Sequence, residues 1–339
     1  MADLDCKRVK NCSRVDEQDF KRIVGMAEPV VLKNCDFGDC MTKWNIDYLN
    51  EKLAGLDIVM QQTNYPDPEL PDEHSEYKTC KFEDFSKDLM HKRGVYYSLI
   101  HRDPKAKKPI RIVDDFPAIG DDLKPPSFIP YGKDNALFHS SVLRIASADL
   151  QEILRFDHYE TVLCQVSGLK RVILFPPKDS RHLYAHGNKS KLNNFGHACA
   201  EFRPQLYDTE PRLCFLYPGD CLFIPKCWWY GVRSIVSESQ DPDFGDGKKP
   251  KENDPMLEWS IGFSIFWRAP ELATHSLYED DDVCGNKLLK PYELALSNLN
   301  RALRHLEQIP EEYQEIYKLM LWKRVNEKLC VGEVAEDDY

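Results

Sequence analysis

The sequence predicts a mostly β fold with flanking helices: a β-sandwich or jelly-roll barrel followed by a C-terminal helical hairpin. Three observations predict it. Short runs rich in β-branched and aromatic residues recur through the middle of the chain. Turn signals separate them at Ser167-Gly168, Pro176-Pro177 and Pro218-Gly219-Asp220. From Pro291 onward the apolar period changes to that of helices. Many short strands with punctuating turns argue against a doubly wound sheet.

Taken in order, Ser13 followed by Asp16-Glu17 suits a helix start, and 28–32 reads as a short buried strand. Residues 44–53 read as a helix, 56–60 as a strand, and the polar, Pro-rich 61–76 as loops. The β-runs follow at 136–145, 161–165, 170–175, 212–215, 221–224, 231–237 and 259–267, with a hydrophilic mobile insertion at 240–255. Leu296, Leu299, Leu303 and Leu306 share one helical stripe, and Tyr313, Ile316, Tyr317 and Met320 form a second after Ile309-Pro310. Such stripes must be covered, either by the β-core or by a second copy of the chain, and a homodimer through them is expected. The organisation predicted is a flanking α/β region at 1–130, a β-core at 131–270, a helical dimerisation region at 271–330 and an acidic tail at 331–339.

The 339 residues carry 45 Lys plus Arg against 56 Asp plus Glu, a formal net charge of −11. Hydrophobic residues at 42% and charged residues at 30% exclude collagen-like, coiled-coil and mostly disordered classes. No stretch reaches the ~18 apolar residues of a membrane-spanning helix, so no membrane partner is expected, and no DNA partner either. The opening MADLDCKRVKNCSR lacks the hydrophobic run of a secretory signal, so an intracellular location, cytoplasmic or nuclear, is expected. None of the twelve cysteines forms a CxxC pair, which argues against zinc fingers and for small apolar core residues.

The chemistry is carried by three blocks. The first runs from Arg155-Phe-Asp-His-Tyr-Glu through Gln165 to Pro177. The second is Pro218-Gly-Asp-Cys-Leu-Phe-Ile-Pro-Lys-Cys-Trp-Trp-Tyr230, and the third is Phe263-Ser-Ile-Phe-Trp-Arg268. Together with Ile-Pro-Glu-Glu-Tyr at 309–313 they resemble the JmjC family of 2-oxoglutarate oxygenases. Within it the likeness is greatest to the branch that hydroxylates wybutosine in tRNA, and next to the asparaginyl hydroxylases. The resemblance implies a double-stranded β-helix of the cupin, or jelly-roll, type. It also implies Fe(II) held by two histidines and one carboxylate, with 2-oxoglutarate as cosubstrate.

The chain departs from that pattern at the metal. In the HxD register the acid is Asp157, but the first histidine position holds Arg155 and the distal one holds Tyr230. A guanidinium offers no lone pair to a metal, and a phenol with an ordinary pKa near 10 resists the deprotonation that ligation needs. Arg155 and Asp157 lie two apart on a strand and share a face, so a salt bridge in place of the metal is expected. His158 and Glu160 form an alternative HxE triplet, but the odd shift turns them to the opposite face. The cosubstrate half is better kept by resemblance. Lys170 and Tyr97 match the groups that bind the distal carboxylate, and Thr161 replaces an asparagine.

The resemblance also implies tRNA as a partner, with a protein partner as the other choice. The densest basic segment is Arg102, Lys105, Lys107, Lys108 and Arg111. Three functions follow. The first is a JmjC-fold pseudoenzyme acting as a binding or scaffold module with no catalytic residues and no cofactor. The second is a working Fe(II)/2-oxoglutarate hydroxylase, and the third a metal-free dicarboxylate sensor.

Overall fold

The computed structural model describes residues 6–64, 75–91, 95–101, 108–148, 150–190, 192, 204–235, 259–273, 277–278, 282–283, 285 and 287–329. The expected insertion at 240–255, the acidic tail, and Arg102, Lys105 and Lys107 lie outside the described residues. Two compact units divide the chain, residues 1–288 and 289–339.

The first unit is built from two sheets. Its strands are β1 (Lys7–Arg8), β2 (Lys10–Ser13), β3 (Val30–Lys33), β4 (Asp57–Asn64), β5 (Ser75–Lys81), β6 (Val95–His101), β7 (Phe138–Ser147) and β8 (Arg155–Phe156). They continue as β9 (Glu160–Ser167), β10 (Leu169–Phe175), β11 (Ala185–His186), β12 (Lys189–Ser190), β13 (Arg212–Leu216), β14 (Cys221–Ile224), β15 (Trp229–Ile235) and β16 (Trp259–Trp267). One sheet has the order β1-β13-β10-β15-β8-β12-β11, the other β2-β3-β14-β9-β16-β7-β6-β4-β5. The sheets remain open-edged and face one another, without closing into a single barrel.

Between them lies a core of Val31, Leu163, Val172, Leu174, Leu222, Ile224, Tyr230 and Val232, drawn from both sheets. On its outer face the larger sheet carries the helices. These are α1 (Glu17–Met26), α2 (Cys40–Lys43), α3 (Ile46–Leu53), α4 (Phe82–His91), α5 (Ile112–Asp115) and α6 (Pro117–Gly120), with α7 (Pro270–Ala273) following β16. Alternation explains the two faces: Cys164, Val166, Phe263 and Ile265 point to the helices, where Phe20, Trp44, Leu49 and Phe85 meet them. The β9–β10 turn needs Gly168, because at φ 83° a Cβ would stand 2.6 Å from the Trp259 carbonyl oxygen.

Most predicted strands are present with ends displaced by one to three residues, and 259–267 coincides with β16. Two expectations change. The 61–76 segment is not all loop: β4 runs on to Asn64 and pairs with β5 and β6. The α1 cap is Asp16, whose side chain accepts from the Asp19 N–H at 2.8 Å, while Ser13 ends β2. β1 and β2 had no sequence signal; they form one extended run that pairs with β13 of one sheet and β3 of the other.

The second unit is a helical hairpin, α8 (Lys290–Leu306) and α9 (Glu311–Leu329), with no buried residue in either helix. Leu296, Leu299 and Leu303 are exposed, as are Tyr313, Ile316, Tyr317, Met320 and Trp322.

Candidate functional site

The site forms where β8 meets β15. Cross-strand register pairs Tyr230 with Arg155 and Trp229 with Phe156. Strand alternation then sorts them. Phe156 and Trp229 pack edge to face at 4.7 Å on the outer side, and the Trp229 indole N–H donates to Ser180 Oγ at 2.8 Å. Arg155, Asp157 and Tyr230 are left on the inner side. The Cys227 N–H donates to the Asp157 carbonyl at 2.8 Å and holds the chain as it leaves β8.

The three side chains form a relay of hydrogen bonds. Arg155 Nε donates to the Tyr230 hydroxyl at 3.2 Å, and that hydroxyl donates to Asp157 Oδ2. Arg155 and Asp157 approach directly only to 4.0 Å, so the expected salt bridge is bridged by the phenol. The guanidinium carbon also lies 5.6 Å from the Tyr230 ring centre. Asp157 and Tyr230 are buried and Arg155 half-buried; Asp157 Oδ1 is buried with no hydrogen-bond partner. Burial pushes the Asp157 carboxyl up, opposed by the Arg155 charge. Burial likewise pushes the Tyr230 phenol up, which keeps it a neutral donor.

Such a donor set does not fit a ferrous facial triad. Arg155 has no lone pair and Tyr230 holds its proton, so Asp157 stands alone as a ligand. Among the described residues no group of three or more His, Cys, Asp and Glu side chains is placed to hold a metal ion. The alternative triplet is engaged elsewhere. His158 Nδ1 lies 3.7 Å from Cys227 Sγ, and Glu160 pairs with Lys226 Nζ at 3.1 Å while accepting the Lys226 N–H at 3.1 Å.

The residues matched to cosubstrate binding line the space between the sheets unevenly. Lys170 alternates with Val172 and Leu174 and is buried, 2% exposed; burial lowers its ammonium pKa to about 8, opposed by Glu152. The Thr161 hydroxyl donates to the Tyr159 carbonyl at 3.4 Å. Tyr97 lies in β6 opposite Gln62, its side chain outside the described residues. Two residues not singled out from the sequence, Arg144 and Glu152, join Thr161, Tyr230 and Ser264 around a cavity of about 10 Å³. That is room for about one water molecule and too little for a five-carbon dicarboxylate. Arg144 was findable: it interrupts the inward face of β7 between Val142 and Ala146.

Of the basic segment, Lys108 is exposed, whereas Arg111 is half-buried with its guanidinium 5.1 Å from the Phe138 ring centre.

Two facing sheets, helices on the larger one and an inward site at the β8–β15 contact define a cupin-type protein. The chain belongs to the Cupin-like domain family, which its residues 16–270 match. Its relatives are specific. It is 29% identical over 321 residues to tRNA wybutosine-synthesizing protein 5 of Gallus gallus, covering 92% of each chain. To the Homo sapiens protein of that name it is 29% identical over 335 residues, covering 96% of each. It is also 31% identical over 320 residues to tRNA wybutosine-synthesizing protein 4 of Neurospora crassa, covering 92% of this chain and 24% of that larger protein. No helix among the described residues is long and apolar enough to cross a membrane.

Proposed function

We propose that this chain is a JmjC-fold pseudoenzyme in which the Arg155–Tyr230–Asp157 relay stands in place of the iron triad, and that it works as a binding or scaffold module for tRNA. The observation that carries the reading is the Tyr230 hydroxyl between guanidinium and carboxylate. It engages Oδ2 of the acid that a metal would otherwise neutralise. The relatives, named for wybutosine synthesis in tRNA, support tRNA over a protein partner. The exposed stripes of α8 and α9 support a homodimer.

The deciding experiment is an anaerobic Fe(II) titration of the purified protein, with and without 2-oxoglutarate, followed by a succinate assay in air. The reading expects no saturable iron binding and no succinate. A second reading, a working hydroxylase of tRNA, is favoured by similarity along nearly the whole chain. Stoichiometric iron binding with succinate release would establish it and overturn the first. The partner is tested by gel shift with tRNA at rising salt, since a phosphate-directed complex weakens steeply as counterions compete.

A further inference from the structure

A second cavity, remote from the β8–β15 contact, has no role in this reading. We propose that the cleft at the carboxyl ends of β2 and β3 binds a nucleoside monophosphate. β2, α1 and β3 form a crossover unit with the two strands parallel, Ser13 opposite Lys33. Here both strands are followed at once by a residue with left-handed backbone, Arg14 at φ 56° and Asn34 at φ 57°. The chain therefore leaves the sheet abruptly at both, and a cleft of about 480 Å³ opens between them and the 124–128 segment. That volume falls within the roughly 300–1,000 Å³ of small-molecule sites. The third wall is fixed: the Lys124 N–H donates to the Phe37 carbonyl at 2.7 Å, and at Gly38 a Cβ would stand 2.9 Å from the Asp122 carbonyl oxygen.

The charges facing the cleft are unequally satisfied. Lys33 is neutralised by Asp220 at 2.6 Å. Arg14 and Lys124 are exposed on its walls and form no salt bridge with any described residue, Lys124 feeling only the more distant charge of Asp39. The one carboxylate there, Asp36, already accepts the Gly38 N–H at 2.8 Å. Two unpaired cations across one cleft call for a multivalent anion, and a phosphate monoester bridges a guanidinium and an ammonium. Beside Lys124 the same wall carries apolar surface, Pro126 and Phe128, the latter held against Phe20 at 4.9 Å, a surface for a planar base. Asn34 and the second oxygen of Asp36 are left to meet ring and sugar hydrogen-bonding groups.

Isothermal titration of the full chain with AMP, adenosine and inorganic phosphate tests this, alongside Arg14→Glu, Lys124→Glu and a remote control, Lys87→Glu on α4. AMP should bind more tightly than adenosine or phosphate. Each reversal in the cleft should weaken AMP by about tenfold or more while the control stays unchanged. Circular dichroism melting identifies the variants that keep the wild-type fold. A 5′-phosphorylated trinucleotide of RNA separates two sources of the same chemistry. If it binds like AMP, the ligand is an RNA end; if it is rejected while AMP binds, the ligand is a free nucleotide. No AMP binding at millimolar concentration, or unchanged AMP affinity in folded reversal variants, overturns the proposal.

Discussion

Arg155 and Asp157 stand on one face of the same strand end, their charges 4.0 Å apart at closest, and the Tyr230 hydroxyl occupies the space between them. The phenol accepts from one and donates to the other, so its proton cannot be lost without breaking the link to Asp157. Each change at the site is therefore read through what it leaves unpaired.

Tyr230→Phe removes only the linking hydroxyl. Asp157 Oδ1 already lacks a partner, so both carboxylate oxygens would then be buried and unpaired. Chemical denaturation should show a loss of about 1–3 kcal/mol. Unchanged stability would mean that the relay contributes nothing.

Arg155→Ala should cost more, about 3–5 kcal/mol, because it strands a buried charge. The double variant with Asp157→Asn should recover much of that loss, since the asparagine needs no counter-charge. An additive double-mutant cycle would show that the two residues are not coupled.

Arg155→His combined with Tyr230→His should create measurable Fe(II) affinity, because Asp157 already lies on the inner face with both positions. Anaerobic titration reads it directly. The single changes should bind far more weakly.

Lys170 makes stability depend on pH. Its folded pKa is lowered to about 8 from the ordinary 10.5, so the folded state disfavours the cation. The penalty is complete below about pH 8 and fades as pH rises toward the unfolded value near 10.4. Stability from this group thus rises between those limits. Lys170→Met should flatten that slope and raise stability at pH 7 by roughly 3 kcal/mol, the equivalent of the shift. A slope unaltered by the change would show that Lys170 is not its source.

Leu303→Glu with Tyr317→Glu should yield monomers in light scattering, as both side chains are exposed on the helical stripes. A wild-type chain already monomeric at micromolar concentration would dismiss the homodimer.

How far the sequence carried this reading depended on local pattern. β16 is bounded correctly because its Trp-Ser-Ile-Gly-Phe-Ser-Ile-Phe-Trp run is β-rich to both ends. Lys7-Arg8-Val9-Lys10 carries no such run, and its strand character comes from pairing with distant partners. β6 and α4, by contrast, do carry local signal, a β-rich Val-Tyr-Tyr-Ser-Leu-Ile-His run and Phe82, Phe85 and Leu89 at helical spacing, which the sequence expectations leave unused. At the site, spacing locates Arg155 and Asp157 on one face, but a spacing says nothing of which hydroxyl will stand between two charges. The 3.2 Å bond from Arg155 to Tyr230 depends on cross-strand register, which is a tertiary fact. The small volume left beside Thr161 depends likewise on how Arg144 fills it.

The earliest strand of the chain waits for a partner made much later. Lys7 pairs with Arg212 and Arg8 with Leu213. On the ribosome, at about 5–20 residues per second, those partners are made roughly 10–40 s after β1. Through that interval β1 has no edge to join. A nascent chain halted before Arg212 should leave its N-terminal segment open to proteases and chaperones, whereas one halted well beyond it should not.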